Sequence, residues 1–264
     1  MSKATLTKRL EFCSSHRYHN PAWDDAKNRE VFGACNNVNT HGHNYLLEVT
    51  LCGEIDPVTG MIINLYDLKQ YLWDVLIEFD HKNLNLDTPY FTNRIPTSEN
   101  LAWTLWDLLA KHPQLPALEK IRLYEDATLH AEVTAEYFTM AQSASRLPQA
   151  DVIRQYQFSS AVYVPIGQTT GHNYNLGITI SGSIDSETGQ VVNLQYLDNL
   201  VQTKIIKRFH GNNISLDNEF KNSPATEGNL AKCIWETLAG NIQQGTLTHV
   251  TVSQTPGTAA TYSA

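Results

Sequence analysis

Apolar residues recur along the first half of the chain with two different periods. From Thr5 to Phe12 they alternate weakly with polar ones, as in a half-buried strand. Tyr45 to Leu51 is rich in Leu, Val and Thr and reads as a second strand. Asp56-Pro57-Val58-Thr59-Gly60 reads as a turn. After Asn64, a suitable N-cap, Leu65, Leu68, Leu72, Val75 and Leu76 fall at helical spacing. A second helix starts near Thr97 or Ser98, with an apolar stripe of Leu101, Leu105, Leu108 and Leu109 and with Pro113 just beyond its end. Residues 121–125 and 130–134 close the half as strands. Strands, two helices and strands again predict an antiparallel α+β unit.

The pattern then repeats. Gly42-His43-Asn44-Tyr45 recurs as Gly171-His172-Asn173-Tyr174, and the turn ending at Gly60 recurs as the one ending at Gly189. Asn64-Leu65 recurs as Asn193-Leu194. All three pairs share an offset of 129 positions, which marks a duplicated and fused domain. The expected boundaries are a first domain over 1–134, a linker over 135–150 and a second domain over 151–264. Gln142 to Gln149 is small and polar enough for a linker, although Ala135 to Ala144 also reads as an extra helix.

Composition narrows the function classes. Hydrophobic residues make up 42% of the 264 positions, enough for a buried core. A formal net charge of −8 argues against a nucleic-acid partner. No apolar run approaches the roughly 20 residues of a membrane helix, and the first residues do not read as a signal peptide. Cys13, Cys35, Cys52 and Cys233 form no CxxC pair, which suggests thiols in a reducing compartment. A cytoplasmic location is the resulting expectation.

The candidate chemistry lies in the first half. His41-Gly42-His43 on a strand would put both imidazoles on one face, where they could chelate one metal ion. Gly42 would let backbone approach on the other face. His16, at the end of the first strand, could supply a third nitrogen. By itself such a pair also fits ordinary surface or core histidines. Cys35 could act as a base if its thiol were acidified by a nearby dication, or it could be a plain buried cysteine. Asp80-His81 could relay protons. Glu125, at a strand end, could take a charge-assisted hydrogen bond from a guanidine-like ligand edge, or be an ordinary surface acid.

Together these residues resemble one family. Phe12 to Arg17, Phe32 to Tyr45, Gly53 to Asp56, Thr59 to Met61, Phe79 to Asn85, Pro96 to Asn100 and Tyr124-Glu125 keep the order and spacing of 6-pyruvoyl-tetrahydropterin synthases. The resemblance implies two tandem tunnelling-fold domains, each an antiparallel sheet with two helices on one face. It implies zinc held by His16, His41 and His43, Cys35 as thiolate base, and Asp80 and His81 as its partners. It further implies that Glu125 grips a pterin ring, helped by backbone near Thr97 and Ser98. The implied reaction eliminates triphosphate from 7,8-dihydroneopterin triphosphate. Arg17, Lys27, Arg29 and Lys82 are candidate cations for the triphosphate. The related 6-carboxy-tetrahydropterin synthases of queuosine synthesis usually carry the cysteine four residues before the HGH motif. Here it lies six before, which favours the biopterin branch. A non-catalytic pterin- or zinc-binding protein is the remaining alternative.

The second half has lost the set. His16 aligns with Val162, His41 with Thr170 and Glu125 with Gln254, and only His172 remains of the histidines. The Cys35 segment is deleted, and Phe79-Asp80-His81 becomes Phe209-His210-Gly211. The family's assembly into barrels implies a homo-oligomer, expected here as a trimer of fused chains.

Overall fold

The computed structural model describes residues 3–144, 147–163, 167–255 and 258–264. The chain divides into two compact units. One runs to Val152 and takes in Ser183–Val191; the other comprises Ile153–Gly182 and Val192–Ala264.

In the first unit, β1 (Lys3–His16) and β2 (His41–Glu54) pair antiparallel along their whole length, from Lys3 opposite Glu54 to His16 opposite His41. β3 (Lys82–Asn83) lies parallel to the end of β1 at Ser14 and Ser15. β4 (Ala117–Asp126) pairs with β2, and β5 (Leu129–Thr134) with β4. Both strands reach beyond the stretches that alternation predicts, because edge-to-edge pairing with a long partner extends them past their apolar centres.

Helix α1 (Asp25–Phe32) was not legible as a periodic stripe; Asp24 caps it through Lys27 N–H. Helix α2 (Leu65–Leu76) starts at the expected cap, with Asn64 accepting from the N–H groups of Tyr66 and Asp67. Helix α3 (Ser98–Ala110) is capped by Thr97 and packs on β4, β5 and α2. Its Leu101, Leu105 and Leu109 are buried with Leu68, Leu72 and Leu76 of α2 and with Leu47, Val49, Leu51, Ile121 and Leu123 of the sheet. The stretch 135–150 carries helix α4 (Ala135–Ala144) and the start of β6 (Gln149–Tyr163); Ser145 and Arg146 lie outside the described residues.

The second unit repeats this plan. Its strands run in the order β6, β7 (Thr169–Ser183), β8 (Thr246–Thr255), β9 (Thr258–Tyr262). Helix α5 (Leu194–Val201) continues through a π-helical stretch, Gln202–Ile206, into the short α6 (Lys207–Phe209), and α7 (Glu227–Ala239) follows. The duplication holds in detail. Phe12 stacks on Tyr45, and Phe158 on Tyr174, each at 5.1 Å. Ser14 Oγ donates to the Phe79 carbonyl and Ser160 Oγ to that of Phe209. The register of β2 against β4 shifts at Thr50/Leu51, and that of β7 against β8 at Thr179/Ile180, again 129 positions later. Among the described residues, no helix is long and apolar enough to cross a membrane.

Candidate active site

Pairing geometry assembles the site. His16 ends β1 directly opposite His41, and His43 follows two residues on, on the same face of β2. Gly42 between them faces the other way, where a Cβ would come within 2.8 Å of the Ser14 carbonyl oxygen, so the strands meet this closely only with glycine there. Glu125 is the extra residue of a bulge between β4 and β5, where Tyr124 opposes His130 and Asp126 opposes Leu129. Bulges re-aim side chains, and this carboxylate is buried against the histidines.

One ligand-competent atom from each of His16, His41, His43 and Glu125 lies within 4.8 Å of all the others. The Nε2 atoms of His16 and His41 are 3.2 Å apart, and His43 Nε2 is 3.3 Å from Glu125 Oε1. His16 Nδ1 lies 3.1 Å from the Pro96 carbonyl and 3.0 Å from the Tyr45 hydroxyl. A carbonyl can only accept, so Nδ1 carries the proton and Nε2 keeps its lone pair for a ligand. Burial pushes the His16 pKa down to about 4 against the opposing field of Glu125, and burial also lowers that of His41. Neutral imidazoles are the form that binds metal. Two converging lone pairs, together with a buried His43 Nε2 that has no hydrogen-bond partner, fit a cation better than they fit each other.

Around this centre stand groups that the sequence did not single out. Tyr18 and Ser98 hydroxyls donate to Glu125 Oε2 at 2.9 and 2.5 Å. Burial, then the charge of Glu125, holds Tyr18 and Tyr45 well above the ordinary tyrosine range, so both keep their protons. Glu99, in the first turn of α3, is a second buried carboxyl. Its Oε1 accepts from Val191 N–H at 3.1 Å, and burial pushes its pKa up to about 7. Tyr18 could have been found from the alternation Phe12, Ser14, His16, Tyr18, all buried. Tyr45 could have been found from its recurrence as Tyr174.

The other expected residues divide. Cys35 ends up half-buried against the cluster of Tyr18, Phe32 and Ile95, and the Tyr18 ring meets His16 edge-on at 4.8 Å. That places the thiol on the histidine side. Thr97 and Ser98 lie at the start of α3, also on that side, with Ser98 acting through its hydroxyl. Asp80 and His81 form a 2.7 Å pair, with Asp80 held by Cys13 N–H. His81 lines a shallow pocket of about 490 Å³ with Cys13, Ser15, Gly42, His43, Asn44 and Lys82. Arg17 lines a separate cavity of about 650 Å³ with His19, Trp23, Asn85 and Arg94. Lys27 stacks over Trp23 and Arg29 is exposed on α1.

At the equivalent place in the second unit, Val162 is buried, Thr170 hydrogen-bonds His172 at 2.9 Å, and Gln254 reaches Tyr174 at 3.4 Å. The packing survives there without the convergent nitrogens.

A strand-borne cluster of three imidazoles and a buried carboxylate, in one copy of a tandem α+β repeat, defines a candidate metal centre. The family it comes from is recognisable in both repeats: residues 5–136 and 147–264 each match the profile described as 6-pyruvoyl tetrahydropterin synthase. The chain belongs to that family, and its repeats have the tunnelling fold. The human 6-pyruvoyl tetrahydrobiopterin synthase is 45% identical over 124 residues, 47% of this chain and 86% of the human one. A putative 6-carboxy-5,6,7,8-tetrahydropterin synthase of Archaeoglobus fulgidus is 32% identical over 93 residues, 35% of this chain and 74% of its own. The solved structure of Caenorhabditis elegans 6-pyruvoyl tetrahydropterin synthase has 39% identity and a TM-score of 0.46, over 48% of this chain and 91% of that one.

Proposed function

We propose that the first repeat is a zinc-dependent lyase that eliminates triphosphate from 7,8-dihydroneopterin triphosphate to give 6-pyruvoyl-tetrahydropterin. The observation that carries this reading is the convergence of ligand atoms of His16, His41 and His43, with the Pro96 carbonyl holding the His16 proton on Nδ1 so that Nε2 presents its lone pair. Three histidine ligands leave a position open for substrate, as in catalytic zinc sites. Zinc, when bound, would polarise the side-chain oxygens of the substrate and acidify the adjoining C–H and O–H groups.

The chain's own residues do the rest. The Cys35 thiolate removes a proton from the substrate side chain, and triphosphate leaves as the double bond forms. Tautomerisation then moves the oxidation level from the ring to the side chain, reducing the dihydropterin ring to tetrahydropterin, so no external redox cofactor is consumed. Tyr18 and Tyr45 remain protonated and orient Glu125 and His16. Glu125 was expected to grip the pterin, yet its Oε2 already accepts two hydrogen bonds and its Oε1 faces His43. Glu99 is the better candidate for the ring: a buried carboxyl with a pKa near 7 gains most from the N–H donors of an amino-pyrimidinone edge. Asp80 and His81 would act as the partners of the Cys35 base in this reading. The second repeat, lacking the ligands, is non-catalytic in this reading.

The test is to incubate zinc-loaded protein with the triphosphate and identify products by mass spectrometry. Pyruvoyl product with free triphosphate supports the proposal. A carboxy product would move the chain to the queuosine branch, against which the six-residue spacing from Cys35 to His41 speaks. No turnover would leave a binding protein, and turnover by Cys35→Ala would reassign the base.

A further inference from the structure

The cavity of about 650 Å³ lies wholly within the first compact unit. Arg17, His19 and Arg94 form a basic wall, and Trp23, Phe91 and Ile95 an apolar one. Arg9, Arg122, Arg154 and Arg208 each pair with a carboxylate, whereas among the described residues Arg17 and Arg94 do not.

The basic wall is fixed in place before any ligand arrives. Arg17 N–H donates to Asn85 Oδ1 at 2.7 Å, and Asn85 Nδ2 donates to the Arg17 carbonyl at 3.0 Å. The Arg17 head is left with donors to spare. Its Nε is buried without a hydrogen-bond partner, and its Nη2 reaches Asn36 Oδ1 only at a long 3.4 Å. A buried donor without an acceptor is costly, and an anion would supply the acceptor. Asn36 Nδ2 donates to the Tyr18 carbonyl at 2.7 Å and lies 3.2 Å from His19 Nδ1. An amide nitrogen can only donate, so Nδ1 accepts and Nε2 of His19 carries a proton to offer.

This cavity borders the histidine centre. Arg17, Thr40 and Ile95 line it, and they adjoin in the chain His16, His41 and Pro96, whose carbonyl meets His16. The internal repeat links the two places independently. Arg17 and Arg94 correspond to Tyr163 and Ser223 in the second repeat, so both guanidiniums are missing from the copy that lacks the metal ligands.

We infer that the cavity takes the triphosphate tail of the substrate, gripped by Arg17 and Arg94 with His19 as a further donor. The inference rests on the proposed reaction. Arg29 and Lys82 do not line the cavity and take no part. One group opposes the tail. Glu187 stands exposed on the lip, with its backbone carbonyl held by Asn20 Nδ2 at 2.9 Å. The first repeat's turn has Val58 at the matching position, so this acid is not a requirement of the turn.

Inorganic tripolyphosphate is the probe. Isothermal titration uses the full-length chain stripped of metal, so that zinc does not hold the anion. Wild type should bind it at one site per chain, more weakly as salt is added. Arg94→Gln, at an exposed position, should weaken binding about tenfold, the worth of one charge-assisted hydrogen bond. Glu187→Gln should tighten it about threefold, and Arg29→Gln should bind as wild type does. With the pterin triphosphate, Arg94→Gln should raise KM more than it lowers kcat, because the tail is held alike before and during reaction. Arg94-dependent tripolyphosphate binding in a protein without turnover would support the subsite and overturn only the reaction. Turnover accompanied by tripolyphosphate binding that ignores Arg94, or by no binding at all, would overturn the inference and leave the reaction standing. Circular dichroism that matches wild type confirms that each variant is folded.

Discussion

Acid stability offers a quantitative check on the buried titratable groups. His16 and His130 both have pKa values pushed down from 6.5 to about 4, His16 by burial and His130 by burial with the charge of Arg122 adding to it. The unfolded chain takes up these protons near pH 6.5 and the folded one does not until about 4, so stability is lost as pH falls through that window. From pH 7 to pH 5 each costs about 2 kcal/mol. Glu99 works in the opposite sense. Its folded pKa is raised from 4.5 to about 7, so it contributes stability that is present at low pH and lost as pH rises through 7. Over the same interval on acidification it returns about 2 kcal/mol. The metal-free protein should therefore lose only about 2 kcal/mol between pH 7 and pH 5, against a typical total of about 5–15 kcal/mol. Glu99→Gln, which keeps an acceptor for Val191 N–H, should deepen the loss to about 4 kcal/mol, and His130→Leu should reduce it to near zero. Urea unfolding with a chelator present, at both pH values, measures all three. The chelator matters because bound zinc would itself hold His16 neutral. If Glu99→Gln and His130→Leu move the pH dependence in the same direction, or neither moves it, the burial argument is wrong.

Other changes probe the site directly. Tyr45→Phe removes the hydroxyl beside His16 Nδ1 but leaves the Pro96 carbonyl, so zinc affinity should fall about tenfold; competition with a chromogenic chelator reads this, and unchanged affinity would show that the hydroxyl is incidental. Gly42→Ala forces a Cβ against the Ser14 carbonyl, a backbone atom that cannot step aside, and should destabilise by about 1–3 kcal/mol while lowering zinc content; thermal melts and metal analysis check it, and an unaffected zinc content would contradict the close approach. His172→Ala should change neither zinc stoichiometry nor turnover, because its neighbour is Thr170 and not a second imidazole; a loss of one metal per chain would reveal a second site.

The secondary structure was legible wherever one face was apolar and regular. Helix α2 begins at the predicted Asn64, and α3 at Thr97 and Ser98. Helix α1 escaped because Asp25 to Phe32 is mostly polar and buries only Asn28 and Phe32, leaving no stripe to read. The histidine set was legible from strand periodicity, since positions i and i+2 share a face. Glu125 joining that set was not, because its direction comes from a bulge that exists only once β4 and β5 are paired. Glu99 was hidden for a similar reason: its burial depends on a turn more than eighty residues away in sequence. Asp80 and His81 illustrate the converse. A motif fixes which residues occur together in the chain, while the face each one occupies is decided by the turn that follows α2, where His81 adopts a left-handed backbone at φ 59°.

The shared register shift at Thr50/Leu51 and Thr179/Ile180 bears on how the chain reaches its native state. Because β2 and β7 break step at the same place, the backbone register alone does not reject pairing of β2 with β8 or of β7 with β4. Strand alternation and the bulge discriminate against slipped pairings within a repeat but not against swapped pairings between repeats. Side-chain pairs such as Glu48 with Arg122, replaced by Gly177 with Thr251, oppose the exchange, and order of synthesis adds to them. The first repeat closes β4 onto β2 within about seventy residues, before β8 has left the ribosome, so vectorial synthesis favours the correct partner. Refolding of the full-length chain from denaturant has no such order, and strand-exchanged species are the expected by-product.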